Sequence, residues 1–416
     1  LIPSLLLSDD LIGHQDLPSR FPPEYHETSP ALMVLQAMFY FLDGHFTQTL
    51  ELAQKADRLL VGKTGPTNDT LRFIALLLSC PSARFTGCPA AAQASIRQVS
   101  EKLEAGNSHL RNWGLFTLGV NALLDADLRS AREILGQALA GALSMGDSVC
   151  ALRTLTVLVP VLVQQAEVNE ALRCFGRTRE KLAGLPSVKD QEAVLGYLEG
   201  LLALEQNQLA LAQASLAEAS RLAPGRMNLP DQIYLAFECF RLGMIGGDES
   251  TWRASLDDIR ELHQRMGGGD WAYSIPPPQV LEALARLRQG DASAVIAWAS
   301  QQDAAPPSLS QSRFSRLHKS LFLAVSKLLT GVPVADDLKQ LASESEQGST
   351  FMLLCHTRLS QSIQLAYGDQ DPVAATRLLA ETLTRFMPTG ALRPFIDAAP
   401  ALDALLQACA DDTGPA

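Results

Sequence analysis

What most restricts this chain is the rhythm of its interruptions. Apolar helical stretches break near Gly44, Gly87, Ala126, Ala166, Asn207, Gly247, Gly290, Gly331 and Asp369, so a short break returns about every 40 residues along the chain. Longer breaks lie between the short ones, so the helices come in pairs. A lone helix pair cannot bury its apolar face, but stacked pairs can, each touching only its neighbours. With 416 residues the chain also exceeds the length at which one hydrophobic core stops growing. The expected fold is all-α, a right-handed superhelical solenoid of about nine antiparallel helix pairs. It would run over residues 1–416 as one domain, ending in a short flexible tail at 411–416.

Two units carry the tetratricopeptide pattern residue by residue. Gly200 is followed by Ala212, Leu216, Ala219 and Pro224, and Gly119 by Ala131 at the same offset, then Leu135 and Ala138. Small residues there let the two helices of a hairpin approach closely. The pair around Ala166 is looser, with Val159 where the small residue belongs. Gly146-Asp147-Ser148 reads as a helix end followed by a new N-cap, and Ser349 marks another boundary. The stretch Gly267 to Pro278, with three glycines and three prolines, cannot be continuous helix, and Asp303 to Ser308 is a second irregular loop. Both read as loops inside the array, because the repeat keeps its phase across them.

Charge and composition narrow the function. Lys and Arg total 34 against 45 Asp and Glu, a net charge of -11, and no basic run offers a surface to a phosphate backbone. Direct nucleic-acid contact is therefore not expected. Apolar stretches such as Val157 to Val163 fall well short of a membrane span, and Leu1 to Leu7 lacks the basic flank of a signal peptide. Cytoplasm is the expected location. The seven cysteines show no CxxC spacing and mostly occupy apolar helical positions, so reduced thiols are expected, without disulfides or zinc.

Motifs for catalysis are weak. Gly62-Lys63-Thr64 has the ending of a phosphate-binding loop, but Asp57 stands where that loop needs glycine. The seven histidines are scattered, and neither a Gly-x-Ser-x-Gly elbow nor a Cys-His pattern is present. No catalytic residue, metal or cofactor is assigned, and the chain reads as a binding protein. In a helical-hairpin solenoid the first helices line the concave face. Candidate ligand-binding residues there are Arg111, Trp113, Asn121, Arg153, Tyr197, Tyr234, Glu238 and Arg241, with Trp271 and Tyr273 on the glycine-proline loop. Aromatic rings offer flat apolar faces, and arginine offers a fork of donors.

Three stretches resemble one family. They are Asp16-Leu17-Pro18 with Ser29-Pro30-Ala31-Leu32, then Leu281 to Asp291 with Ala297-Trp298-Ala299, and Gly390-Ala391-Leu392-Arg393-Pro394-Phe395-Ile396-Asp397 with Pro400-Ala401-Leu402 and Leu405-Leu406. Together they resemble the sensor domain of the large ATP-binding LuxR-family transcriptional regulators of the MalT type. The resemblance implies a tetratricopeptide-like solenoid that binds a small-molecule inducer or a regulatory protein and controls self-association. It also implies ATP only in an N-terminal module and DNA contact only in a C-terminal one, neither of which this sequence contains. The chain would then be an excised sensor domain or a stand-alone relative, and its end faces could pair with a second copy. The alternative function is a generic tetratricopeptide-type scaffold for protein partners, without an effector. A closed pocket lined by the named aromatics and arginines would favour the effector, and an open polar groove the scaffold.

Overall fold

The computed structural model describes residues 17–103, 108–188, 190–267, 273–303, 313–329 and 331–412, and every regular element among them is a helix. A 3-10 turn (Pro18–Arg20) and a short helix α1 (Pro23–Thr28) lead into nine hairpins. The first three are α2 (Pro30–Leu42) with α3 (Phe46–Leu60), α4 (Pro66–Phe85) with α5 (Pro89–Lys102), and α6 (Ser108–Leu124) with α7 (Leu128–Ser144). Next come α8 (Ser148–Gln164) with α9 (Val168–Leu182), α10 (Gln191–Glu205) with α11 (Leu209–Leu222), and α12 (Leu229–Gly246) with α13 (Glu249–Arg265). The last three are α14 (Pro278–Arg288) with α15 (Ala292–Asp303), α16 (Arg313–Leu329) with α17 (Ala335–Gln347), and α18 (Phe351–Ile363) with α19 (Pro372–Phe386). Helix α20 (Arg393–Asp412) follows the ninth hairpin. It includes Asp411 and Asp412, so the expected tail is helical at its start; its remaining residues lie outside the described ones.

The repeat rhythm has a backbone cause. Each hairpin turns on one residue in the left-handed region: Gly44, Gly87, Ala126, Ala166, Asn207, Gly247, Gly290, Gly331 and Gln370, with φ between 56° and 83°. Eight of these are the breaks read from the sequence, and the ninth falls one residue after Asp369. At alanine this backbone costs about 1–2 kcal/mol. Ala126 and Ala166 hold it while buried, so packing around those turns offsets the strain. Between hairpins, Gly146 (φ 70°) ends α7, and the Asp147 carboxylate accepts from Cys150 N at 2.9 Å to cap α8.

Close helix approach follows the small residues. A Cβ on Gly119 would lie 2.5 Å from Leu135 Cγ, and one on Gly200 would lie 2.5 Å from Leu216 Cγ. Ala131, Ala138, Ala212 and Ala219 are fully buried on the facing helices. Val159 is also fully buried in the looser hairpin around Ala166.

The array does not stay open. Helix α18 packs on α8, and α16 packs on α6, across a gap of several hairpins. The backbone N–H of Leu128 donates to Gly348 O at 3.2 Å, and Asn169 Nδ2 donates to Pro388 O at 3.1 Å. Gly348 is required at this contact, since a Cβ there would stand 2.6 Å from Ala126 O. Buried residues of hairpins three to six and of the last hairpin with α20 belong to one apolar core, from Leu123 to Leu235 and from Met352 to Leu405. At the other end, Phe46 and Phe85 stack with centroids 4.3 Å apart, and Phe85 meets Tyr273 at 5.6 Å. The first two hairpins therefore touch the loop that follows the sixth. No helix among the described residues is long and apolar enough to cross a membrane.

Candidate functional site

Closure of the superhelix leaves a cavity of about 290 Å³ on the first-helix face. Its wall draws on α2, α4, α6, α8, α10 and α12, and on Tyr273 and Ser274 of the glycine-proline loop. Most of that wall is apolar, with Phe41, Phe85, Trp113, Phe116, Val120 and Val157 among the contributors. Trp113 and Phe116 meet edge to face at 5.7 Å. Pro81 and Pro160, inside α4 and α8, also face it. A proline cannot donate to the carbonyl one turn back, which here belongs to Leu77 and Thr156 on the same wall.

One end of the cavity is polar. Arg153 of α8 reaches across two hairpin boundaries to bond Asp190 through Nη2 and Asp231 Oδ2 through Nη1, the latter at 2.8 Å. Asn228 caps α12, accepting from Asp231 N at 2.9 Å and donating its amide to Asp231 Oδ2 at 2.7 Å. Burial opposes the charge on Arg153, but the two carboxylates outweigh it and raise its pKa. Burial raises Asp231, with Arg153 pulling the other way and the nearby Asp190 adding to the rise. Asp190 is 2 % exposed, and its Oδ1 has no hydrogen-bond partner among the described residues. Trp113 Nε1, a donor on the same wall, is also buried without a partner.

The loop side is built from tyrosines. Tyr234 OH pairs with Ser274 Oγ at 3.0 Å and accepts from Ser274 N at 3.4 Å. Tyr273 lies edge-on to Tyr234 at 6.1 Å, and its hydroxyl donates to Met266 Sδ at 3.3 Å. The stretch that could not be helix thus supplies a wall of the cavity.

Of the residues expected on the ligand face, Trp113, Arg153, Tyr197, Tyr234 and Tyr273 come together here. Arg111 is exposed on α6 and does not belong to the wall. Asn121 is committed elsewhere: it accepts from Arg84 Nε at 3.2 Å and donates to Cys80 Sγ and to Thr117 O. Glu238 and Arg241 form a separate buried cluster with Glu205, with Arg241 donating at 2.8 Å to Glu238 and at 2.5 Å to Glu205. Trp271 lies outside the described residues. Sequence reasoning missed Asp190, Asp231 and Asn228, although both acids stand near one and two repeat lengths beyond Arg153, at separations of 37 and 78 residues.

The stretch from Gly390 to Asp397 sits at the closure. Arg393 is 5 % exposed, bonds Asp397, and donates to Asn207 Oδ1 at 2.9 Å, while Arg288 reaches Asp397 at 2.8 Å. It therefore ties α20 to the turn of hairpin five and to α14.

No protein-family model and no curated protein matches the chain. Among solved structures, the apo form of RapI is similar over 62 % of this chain and 91 % of its own, at 14 % identity and a TM-score of 0.45. Yeast Tom70 is similar over 97 % of this chain and 87 % of its own, at 12 % identity and a TM-score of 0.36. At those values neither likeness bears on function. The all-helical, tetratricopeptide-like architecture stands on the hairpins themselves.

Proposed function

We propose that the chain is an effector-binding module of a MalT-type LuxR-family regulator, and that the cavity bounded by its first six hairpins is the effector site. The family rests on the sequence resemblance alone, and one observation supports effector binding: an aromatic-lined cavity holds an unmatched buried acceptor, Asp190 Oδ1, and an unmatched buried donor, Trp113 Nε1. Buried polar atoms left without partners cost about 1–3 kcal/mol each, and a bound molecule complementary to either would recover part of that. The role is binding, with no chemistry assigned to it.

Helix α8 supplies the transmission. One side of it faces the cavity, and α18 packs on it from the C-terminal hairpins. An effector with different affinity for two positions of α8 would shift how hairpins eight and nine and α20 seat on the array. That surface is what the module would use to control self-association or partner binding.

The test is a thermal-shift screen of the chain against a broad metabolite library, with size-exclusion chromatography on each hit. A ligand at about 100 times its Kd should add roughly 2.7 kcal/mol. The variant Val120→Phe, which enlarges a side chain on the cavity wall, should reduce the shift while melting close to the parent. Hits whose shift is unchanged in Val120→Phe place the ligand elsewhere and sink the reading. The second reading, a scaffold for protein partners, is favoured by the fold class, since hairpin arrays present extended concave surfaces. A library with no hit moves the assignment there.

A further inference from the structure

The charge at the polar end of the cavity says what kind of head group fits. The charged residues of the wall are Arg153, Asp190, Asp231 and Arg226. Arg226 is exposed, so solvent screens it. Of the other three, one guanidinium faces two carboxylates, which leaves a surplus negative charge beside an apolar space. The surplus is localised, because Arg153 engages Oδ2 of each acid and Asn228 takes Asp231 Oδ2 as well. Asp190 Oδ1 is left bare and buried. A buried carboxylate oxygen asks for a donor, and a cationic donor most of all. Rings on the rest of the wall favour a cation as well, since an ammonium group is attracted to aromatic faces.

We infer that the cavity takes an apolar amine, with its ammonium group on Asp190 Oδ1 and its hydrocarbon body among Trp113, Phe116, Tyr197 and Tyr234. This rests on the cavity being the effector site. An anionic ligand would meet two carboxylates and find Arg153 already occupied. A neutral apolar ligand would fill the space and leave Asp190 unmatched.

A charge series on one skeleton tests it: 4-phenylbutylamine, 4-phenylbutanol and 4-phenylbutyrate, each titrated into the chain at pH 7 by calorimetry and thermal shift. The amine should bind at least tenfold more tightly than the alcohol, and the carboxylate should not bind measurably. Asp190→Asn should weaken the amine at least tenfold and narrow its lead over the alcohol, with the unliganded melting temperature within a few degrees of the parent. Alcohol or carboxylate binding as tightly as the amine overturns the inference and leaves the effector site standing, as does an amine affinity indifferent to Asp190→Asn. Should that variant fail to fold, the series on the parent chain still decides the charge. If none of the three binds, the amine assignment falls. The metabolite screen then separates the cases, since non-amine hits weakened by Val120→Phe keep the cavity as effector site and a screen without hits removes that reading too.

Discussion

Arg153 and Arg241 each sit between two carboxylates on first helices, and of the two it is Arg153 that lines the cavity described above. Around Arg241, the side chains of Glu205 and Glu238 are each 4 % exposed and each receives a guanidinium nitrogen. His356 of α18 lies within electrostatic reach of Glu205 and Arg241. Around Arg153, the same chemistry leaves Asp190 Oδ1 without a partner. What separates the two is their surroundings: Arg153 and its acids line the cavity wall, whereas Arg241 and its acids lie outside that wall, beside His356 of the ninth hairpin. A satisfied buried ion cluster holds the array in one arrangement, whereas an unsatisfied one at a cavity wall is a place for a ligand.

The largest effect expected is at the buried Arg241 cluster. Arg241→Met strands two buried carboxylates and should cost roughly 3–5 kcal/mol in chemical denaturation. Replacing all three charges by apolar residues of similar volume should restore most of that loss. A single variant as stable as the parent would mean that the cluster is not sealed.

Next comes the closure by the C-terminal hairpins. Gly348→Val pushes a side chain against Ala126 O and should destabilise by about 1–3 kcal/mol. Hydrogen exchange should rise at Leu128 N, which donates to Gly348 O. Unchanged protection there would show that the contact does not hold the C-terminal hairpins down. A third variant, Gly200→Val, disturbs a single hairpin by driving a side chain onto Leu216. It should cost a similar 1–3 kcal/mol with protection at Leu128 left intact.

The smallest effect is in the pH profile. Burial pushes the Glu238 carboxyl up to about 7, with Arg241 opposing and Glu205 reinforcing. A carboxyl that holds its proton more tightly when folded stabilises the chain fully below its unfolded value, and that contribution fades as pH rises through about 7. Melting temperature should therefore fall between about pH 4.5 and 7 on this account, and Glu238→Gln should flatten that slope. Burial moves His318 the other way, down to about 4. Its contribution is present above its unfolded value near 6.5 and is lost as pH drops towards 4. His318→Gln removing no part of the acid limb would count against that assignment.

How much of this was legible depends on distance along the chain. Hairpin turns are local, and left-handed residues with short breaks around them mark the sequence directly, so eight of nine were found where they stand. Ion pairs between neighbouring hairpins were legible in principle. Arg84 to Asp125, Glu205 to Arg241 and Arg153 to Asp190 span 41, 36 and 37 residues, each close to one repeat. Opposite charges separated by the period are a signal that attention to arginines and aromatics alone passes over. The closure contacts carry no such mark, since Arg393 to Asn207 spans 186 residues and Asn169 to Pro388 spans 219.

The sequence alone therefore determined the helices, their pairing and the set of first-helix side chains from which a site could be drawn, because a repeat needs only neighbour contacts to define it. Tertiary structure decided which of those side chains share a cavity and which pair outside it. Small rotations at each hairpin interface add up along the array, and only their sum brings α18 onto α8 and Asp190 into the wall of a cavity.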